Sequence, residues 1–164
     1  MIKYGIVSLY ANPLHVGHLD YIEAANQRCN VLVAIVNNDT QVKLKGSKEF
    51  MDEDQRVRIV QSLKFLDGAM LSIDDDDSVC ETIKDCYNHI KTIHRTLKTG
   101  QDFEVIFFNS GDRQPGNENK KEVELCDLLG IRQVFLPLPK VCSSTVLKER
   151  LGCDRDTSCK AKHQ

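Results

Sequence analysis

The chain has 164 residues, 41% of them apolar and 28% charged, which are the proportions of one globular domain large enough to bury a full core. A net charge of −2 argues against nucleic acid or a membrane surface as an electrostatic partner, because both demand a basic face. No apolar run approaches the ~20 residues that span a bilayer, and the first eight residues read as a strand rather than a leader, so a cytoplasmic location is expected.

In chain order, short apolar runs occupy residues 4–7, 31–36, 69–71, 105–108 and 134–136. Each is too short for a helix and most lack alternation, the pattern of strands buried on both faces. Helical periods fill the spaces at 17–28, 53–66, 79–97, 119–129 and 144–151. Five strands alternating with five helices predict βαβ crossovers and an α/β fold, a Rossmann-like three-layer sandwich with a five-stranded parallel sheet. Asp52 with Gln55, and Ser78 with Glu81, read as capping boxes. Gly100 and Gly130 follow the third and fourth helices where a C-terminal glycine belongs. The acidic run 74–77 precedes the Ser78 cap and reads as a solvated loop favoured by the helix dipole, rather than as a metal site. One domain over 1–151 and a polar tail over 152–164 are expected.

Seven cysteines (Cys29, Cys80, Cys86, Cys126, Cys142, Cys153 and Cys159) make an odd, scattered set, several of them among core-type residues. This usage suits reduced, buried thiols. The spacings of Cys80 to Cys86 and of Cys153 to Cys159 do not match a zinc-binding pair.

The first strand runs into Tyr10-Ala11-Asn12-Pro13-Leu14-His15-Val16-Gly17-His18, after which a helix begins. His15 then sits in the loop and His18 in the first helical turn, with Gly17 allowing close approach of backbone and ligand. Both imidazoles face a helix N-terminus, which attracts phosphate. Beside a triphosphate each ring can donate a hydrogen bond, and the anion favours its protonated form. A metal pair is the competing reading, but helical ligand pairs usually stand at i, i+4, and no third ligand accompanies these two. A second cradle opens the last helix. In Val141-Cys142-Ser143-Ser144-Thr145, Ser143 is the expected N-cap, and Ser144 and Thr145 add hydroxyls to the unpaired backbone N–H groups of the first turn. Alone this is most often a capped helix; two such loops at the C-terminal ends of parallel strands mark a ligand crevice.

On these residues the chain resembles the H-x-G-H nucleotidyltransferase superfamily. It is most similar to the cytidylyltransferase-like group that includes glycerol-3-phosphate cytidylyltransferase and the adenylyltransferase of ADP-heptose synthesis. The resemblance implies transfer of CMP or AMP from CTP or ATP to a phosphorylated small molecule (a polyol, amino alcohol or sugar phosphate), with release of pyrophosphate. It assigns the α-phosphate to His15 and His18, and the β- and γ-phosphates to Ser143, Ser144 and Thr145. It makes Lys45 a catalytic residue folding over the triphosphate, with Lys43 secondary. Gly111 and Asp112, at the end of the fourth strand, fall near the nucleoside. Leu9, Tyr10, Asn12 and Gly17 complete the nucleotide site, while Arg56 and Arg113 fall to the acceptor. Mg²⁺ is implied, bound through the nucleotide phosphates rather than by a protein cage. Related enzymes are often homodimers, a state no residue pattern here fixes.

The chain departs from the group at Tyr10-Ala11-Asn12, where Thr-Phe-Asp is common, and at 138–141, where no arginine leads into the serines. The second departure speaks against glycerol 3-phosphate as acceptor. Two rival readings are a nucleotide-binding regulator without catalysis and an aminoacyl-tRNA-synthetase-like module. The second would need a lysine-rich second signature and an RNA-binding face, and the length and acidic balance oppose it.

Overall fold

In a computed structural model, residues 1–97, 100–111, 113, 115–139 and 143–151 are described. The expected tail over 152–164 and Cys142, Cys153 and Cys159 lie outside them. Five strands are present: β1 (Ile2–Leu9), β2 (Val31–Val36), β3 (Gly68–Leu71), β4 (Phe103–Asn109) and β5 (Arg132–Phe135). Six helices are found among the described residues: α1 (Val16–Asn26), α2 (Asp39–Leu44), α3 (Glu53–Gln61), α4 (Cys80–Leu97), α5 (Lys120–Leu129) and α6 (Ser144–Leu151). All strand pairs are parallel, in the order β3-β2-β1-β4-β5. The fold is the expected Rossmann-like α/β sandwich.

Strand alternation divides the core into two layers. Val7, Leu32, Ala34, Ile106 and Phe108 meet Ile22 and Ala25 of α1 and Val60 of α3. On the other face, Ile6, Ile35, Val105 and Phe107 meet Ile83 and Ile90 of α4 and Leu125 of α5. These strands are buried on both sides, which is why their sequences run apolar without a break.

Three local expectations are corrected. The stretch 37–46, which shows no helical period in the sequence, contains α2, because Asn38 and Gln41 form a reciprocal capping box: Gln41 N–H donates to Asn38 Oδ1 at 2.9 Å and Asn38 N–H to Gln41 Oε1 at 3.2 Å. The helix expected over 53–66 ends at Gln61, and Leu63, Phe65 and Leu66 reach the core from a turn instead. At the start of α4 the capping group is Asp74, not the Ser78–Glu81 pair. Its buried carboxylate accepts from Glu81 N–H at 2.7 Å, Thr82 N–H at 3.1 Å and Thr82 Oγ1 at 2.5 Å. The acidic run is therefore not uniformly solvated; Asp74 anchors a helix, and Asp76 pairs with Lys121 at 2.6 Å. Gly130 ends α5 with φ +68°, as its place in the sequence predicts.

Candidate active site

The strand order reverses direction between β1 and β4, and in open parallel sheets the crevice at such a switch point is where ligands bind. A cavity of about 460 Å³ opens there. Leu9, Tyr10, Asn12, His15, Gly17 and His18 line it from the end of β1 and the start of α1. Lys45 reaches it from the end of α2, and Gly111 and Arg113 from the end of β4. Ser143, Ser144 and Thr145 line it from the start of α6. The two phosphate-type loops, more than a hundred residues apart in sequence, thus share one cavity. Ser144 Oγ ties them directly by donating to the Pro13 carbonyl at 2.9 Å.

The histidines cap their own helix. Gly17 N–H donates to His15 Nδ1 at 3.1 Å, and His15 N–H donates to His18 Nδ1 at 3.2 Å. The rings stack with centroids 3.8 Å apart. Each Nδ1 must be unprotonated to accept, so each ring carries its proton on Nε2, leaving that N–H as the donor on the edge away from the cap. Burial, the neighbouring His15 ring and the Lys45 charge push His18 down to about 3. Burial likewise lowers His15. Two imidazolium rings stacked this closely would repel, and each would put a second proton against a backbone N–H.

Ser143 caps α6 as expected: its Oγ accepts from Val146 N–H at 3.3 Å. Gly111 adopts φ +71° with no neighbour in the space a side chain would fill, a conformation L residues rarely take. Arg113 is held by Glu122, whose buried carboxylate also accepts from Val79 N–H at 3.1 Å. Asn12 lines the cavity, yet its amide is engaged with the next loop, donating to the Lys48 carbonyl at 3.0 Å and accepting from Phe50 N–H at 2.6 Å.

Two expected residues do not join the others. Arg56 is fully buried. It donates to the carbonyls of Tyr10 and Asn37, each at 2.6 Å, and to Asp39 at 2.7 Å. It therefore fixes the floor beneath the site and is corrected from an acceptor ligand to a structural hub. Lys43 points away, its side chain 69% exposed and paired with Glu49 at 3.1 Å. Asp112 lies outside the described residues.

Lys148 went unread in the sequence. It lines the cavity at 3% exposure and donates to the Lys48 carbonyl at 2.8 Å, with no carboxylate partner among the described residues. Buried ammonium groups are normally paired; its one sequence signal is the i+4 step from Ser144 along α6.

The sequence model of the cytidylyltransferase-like family matches residues 11–150. The chain belongs to that family. Its similar relatives include FAD synthases of archaea. That of Methanoculleus marisnigri is 43% identical over 58 residues, 35% of this chain and 38% of the relative. That of Thermoplasma acidophilum is 32% identical over 63 residues, 38% and 44% of the two chains. The chain thus spans less than half the length of these two relatives. A longer match, 22% identical over 129 residues, covers 73% of this chain and 91% of the FAD synthase of Thermoplasma volcanium. Among solved structures, a lipopolysaccharide core biosynthesis protein from Thermoplasma volcanium shares the fold at TM-score 0.59 and 20% identity, covering 85% of this chain and 99% of that one. A bifunctional NMN adenylyltransferase/ADP ribose pyrophosphatase from Francisella tularensis, complexed with AMP and a manganese ion, does so at TM-score 0.55 and 10% identity, over 92% and 41%. Among the described residues no helix is long and apolar enough to cross a membrane.

Proposed function

We propose that this family member transfers AMP from ATP to the phosphate of a small-molecule acceptor, with flavin mononucleotide as the first acceptor to test. The supporting observation is that two imidazoles with Nε2 as donor and a hydroxyl-bearing helix start line one cavity. Naming ATP and a flavin phosphate draws on the FAD synthase relatives. In this reading an acceptor phosphate oxygen attacks the α-phosphorus in line, the bond from that phosphorus to the bridging oxygen breaks, and pyrophosphate leaves. No side chain becomes a nucleophile. His15 and His18 donate to the α-phosphate oxygens as charge shifts onto them, Lys45 and the first turn of α6 hold the β- and γ-phosphates, and Arg113 meets the acceptor. Catalysis is then positioning and charge stabilisation.

The cavity's polar groups are mainly imidazole, hydroxyl, ammonium and guanidinium, which suit phosphate oxygens. Among the described residues no three His, Cys, Asp or Glu side chains gather to hold a metal. This donor set fits a Mg²⁺ carried on the nucleotide phosphates, where it would neutralise the departing pyrophosphate.

The test is pyrophosphate release, crossing ATP and CTP with flavin mononucleotide and with sugar and polyol phosphates. Release with ATP and the flavin phosphate is expected, falling ~10²–10³-fold in His18→Ala, the usual loss on removing a donor to developing charge. Release with CTP alone would overturn the choice of nucleotide. Binding of ATP without release, whatever the acceptor, would favour a regulator.

A further inference from the structure

Glu122 stands in the first turn of α5, at the third helical position. A glutamate there commonly reaches back to the cap of its own helix. This one turns inward: its side chain is 2% exposed, while that of Arg113 is 27% exposed. Arg113 lines the cavity and Glu122 does not, so the carboxylate sits behind the guanidinium. Its Oε2 accepts from Arg113 Nη1, and its Oε1 accepts from Val79 N–H at 3.1 Å. Val79 immediately precedes α4, so one carboxylate joins the starts of two helices to the segment that follows β4.

Burying a carboxylate is costly unless it is paired. Burial pushes Glu122 up, and the Arg113 charge and the Val79 N–H work against that. Because Val79 occupies the second oxygen, the pair is single-pronged rather than fork to fork, and the carboxylate takes neither Nε nor Nη2 of the guanidinium. The guanidinium keeps its charge throughout. That charge is felt by the phenols of Tyr10 and Tyr21 on the same cavity wall, where it opposes the rise that burial causes. An arginine stem is otherwise flexible, and a fixed anion behind it is what gives the planar head one direction.

We propose that Glu122 is a positioning residue that fixes the Arg113 guanidinium on the cavity wall, so that the phosphate of the acceptor meets a cation already oriented. The inference rests on the nucleotidyl-transfer reading of this cavity and deepens it by giving the acceptor side a built support. A carboxylate in front of the arginine would repel a phosphate; behind it, the same group directs the fork.

Steady-state kinetics of pyrophosphate release test it, with ATP as donor and flavin mononucleotide as acceptor, or the sugar or polyol phosphate that supports release if the flavin does not. Glu122→Gln keeps a carbonyl oxygen for Val79 N–H but sets an amide against the guanidinium. It is expected to raise the acceptor KM ~3- to 30-fold, with the KM for ATP moving less than about twofold and kcat falling less than the acceptor KM rises. Arg113→Ala should raise the acceptor KM at least as much. Adding Glu122→Gln to it should change that KM by less than about twofold, because the group it positions is gone. A rise of both KM values together, or an equal effect of Glu122→Gln in the two backgrounds, would show a general packing role and overturn the proposal. So would an unchanged acceptor KM in either single variant. Should Glu122→Gln fail to fold, Glu122→Asp, which keeps the charge on a shorter arm, is read by the same criteria. A wild type that releases no pyrophosphate with any of these acceptors would overturn the nucleotidyl-transfer reading itself, an outcome distinct from release without a selective effect on the acceptor.

Discussion

Because Nδ1 of His18 accepts a backbone N–H, protonating this ring means breaking a helix cap. An unfolded histidine takes its proton near pH 6.5, the folded His18 only at about 3. Between those values the unfolded chain binds more protons, so this group leaves stability untouched above pH ~6.5 and erodes it as pH falls toward 3. His18→Gln retains a side chain suited to the N3 position of a capping box but does not titrate. Thermal unfolding of the wild type should therefore move to lower temperature more steeply than that of the variant between pH 7 and pH 4; parallel curves would contradict the assignment. At this scale the sequence was legible where chemistry sits in a motif: His15, His18, Ser143, Ser144 and Thr145 reach the same cavity. It was not legible where burial decides. Arg56 and Lys148 are ordinary helix cations on paper, and only the packing of distant carbonyls around them sends one to the floor of the site and the other to its wall.

Elements are set by their ends. Asp74 joins the loop after β3 to the first turn of α4, and its carboxylate also accepts from Ser72 Oγ at 3.1 Å. Asp74→Ala removes the acceptor and strands two backbone donors and two hydroxyls. A loss of ~2–4 kcal/mol in unfolding free energy is expected from buried groups left unsatisfied, measurable by urea denaturation. A change under ~0.5 kcal/mol would mean that water replaces the carboxylate. The helices with strong apolar period were readable in the sequence, whereas α2 was not. It has six residues, too few to show a period, and its signal is the Asn38–Gln41 box set among polar neighbours. The early end of α3 was hidden for the opposite reason. Leu63, Phe65 and Leu66 continue an apolar pattern that the core accepts from a turn as well as from a helix.

At the scale of the molecule, the parallel order β3-β2-β1-β4-β5 brings the ends of β1 and β4 together, and Ser144 ties the start of α6 to the loop that follows β1. Apolar strand runs alternating with helical periods were enough to read this architecture, since few topologies join such units without crossing. Nucleotide and acceptor choice were not legible, because the base and the acceptor meet loops whose backbone geometry no residue type announces.

In the proposed transfer the bond broken lies between the α- and β-phosphates. Positional labelling of ATP tests it most directly, with flavin mononucleotide present as acceptor. Phosphorus-32 at the α position should appear in the product that carries the acceptor, and phosphorus-32 at the γ position should leave in pyrophosphate. A γ label released as inorganic phosphate, or carried onto the acceptor, would contradict the account.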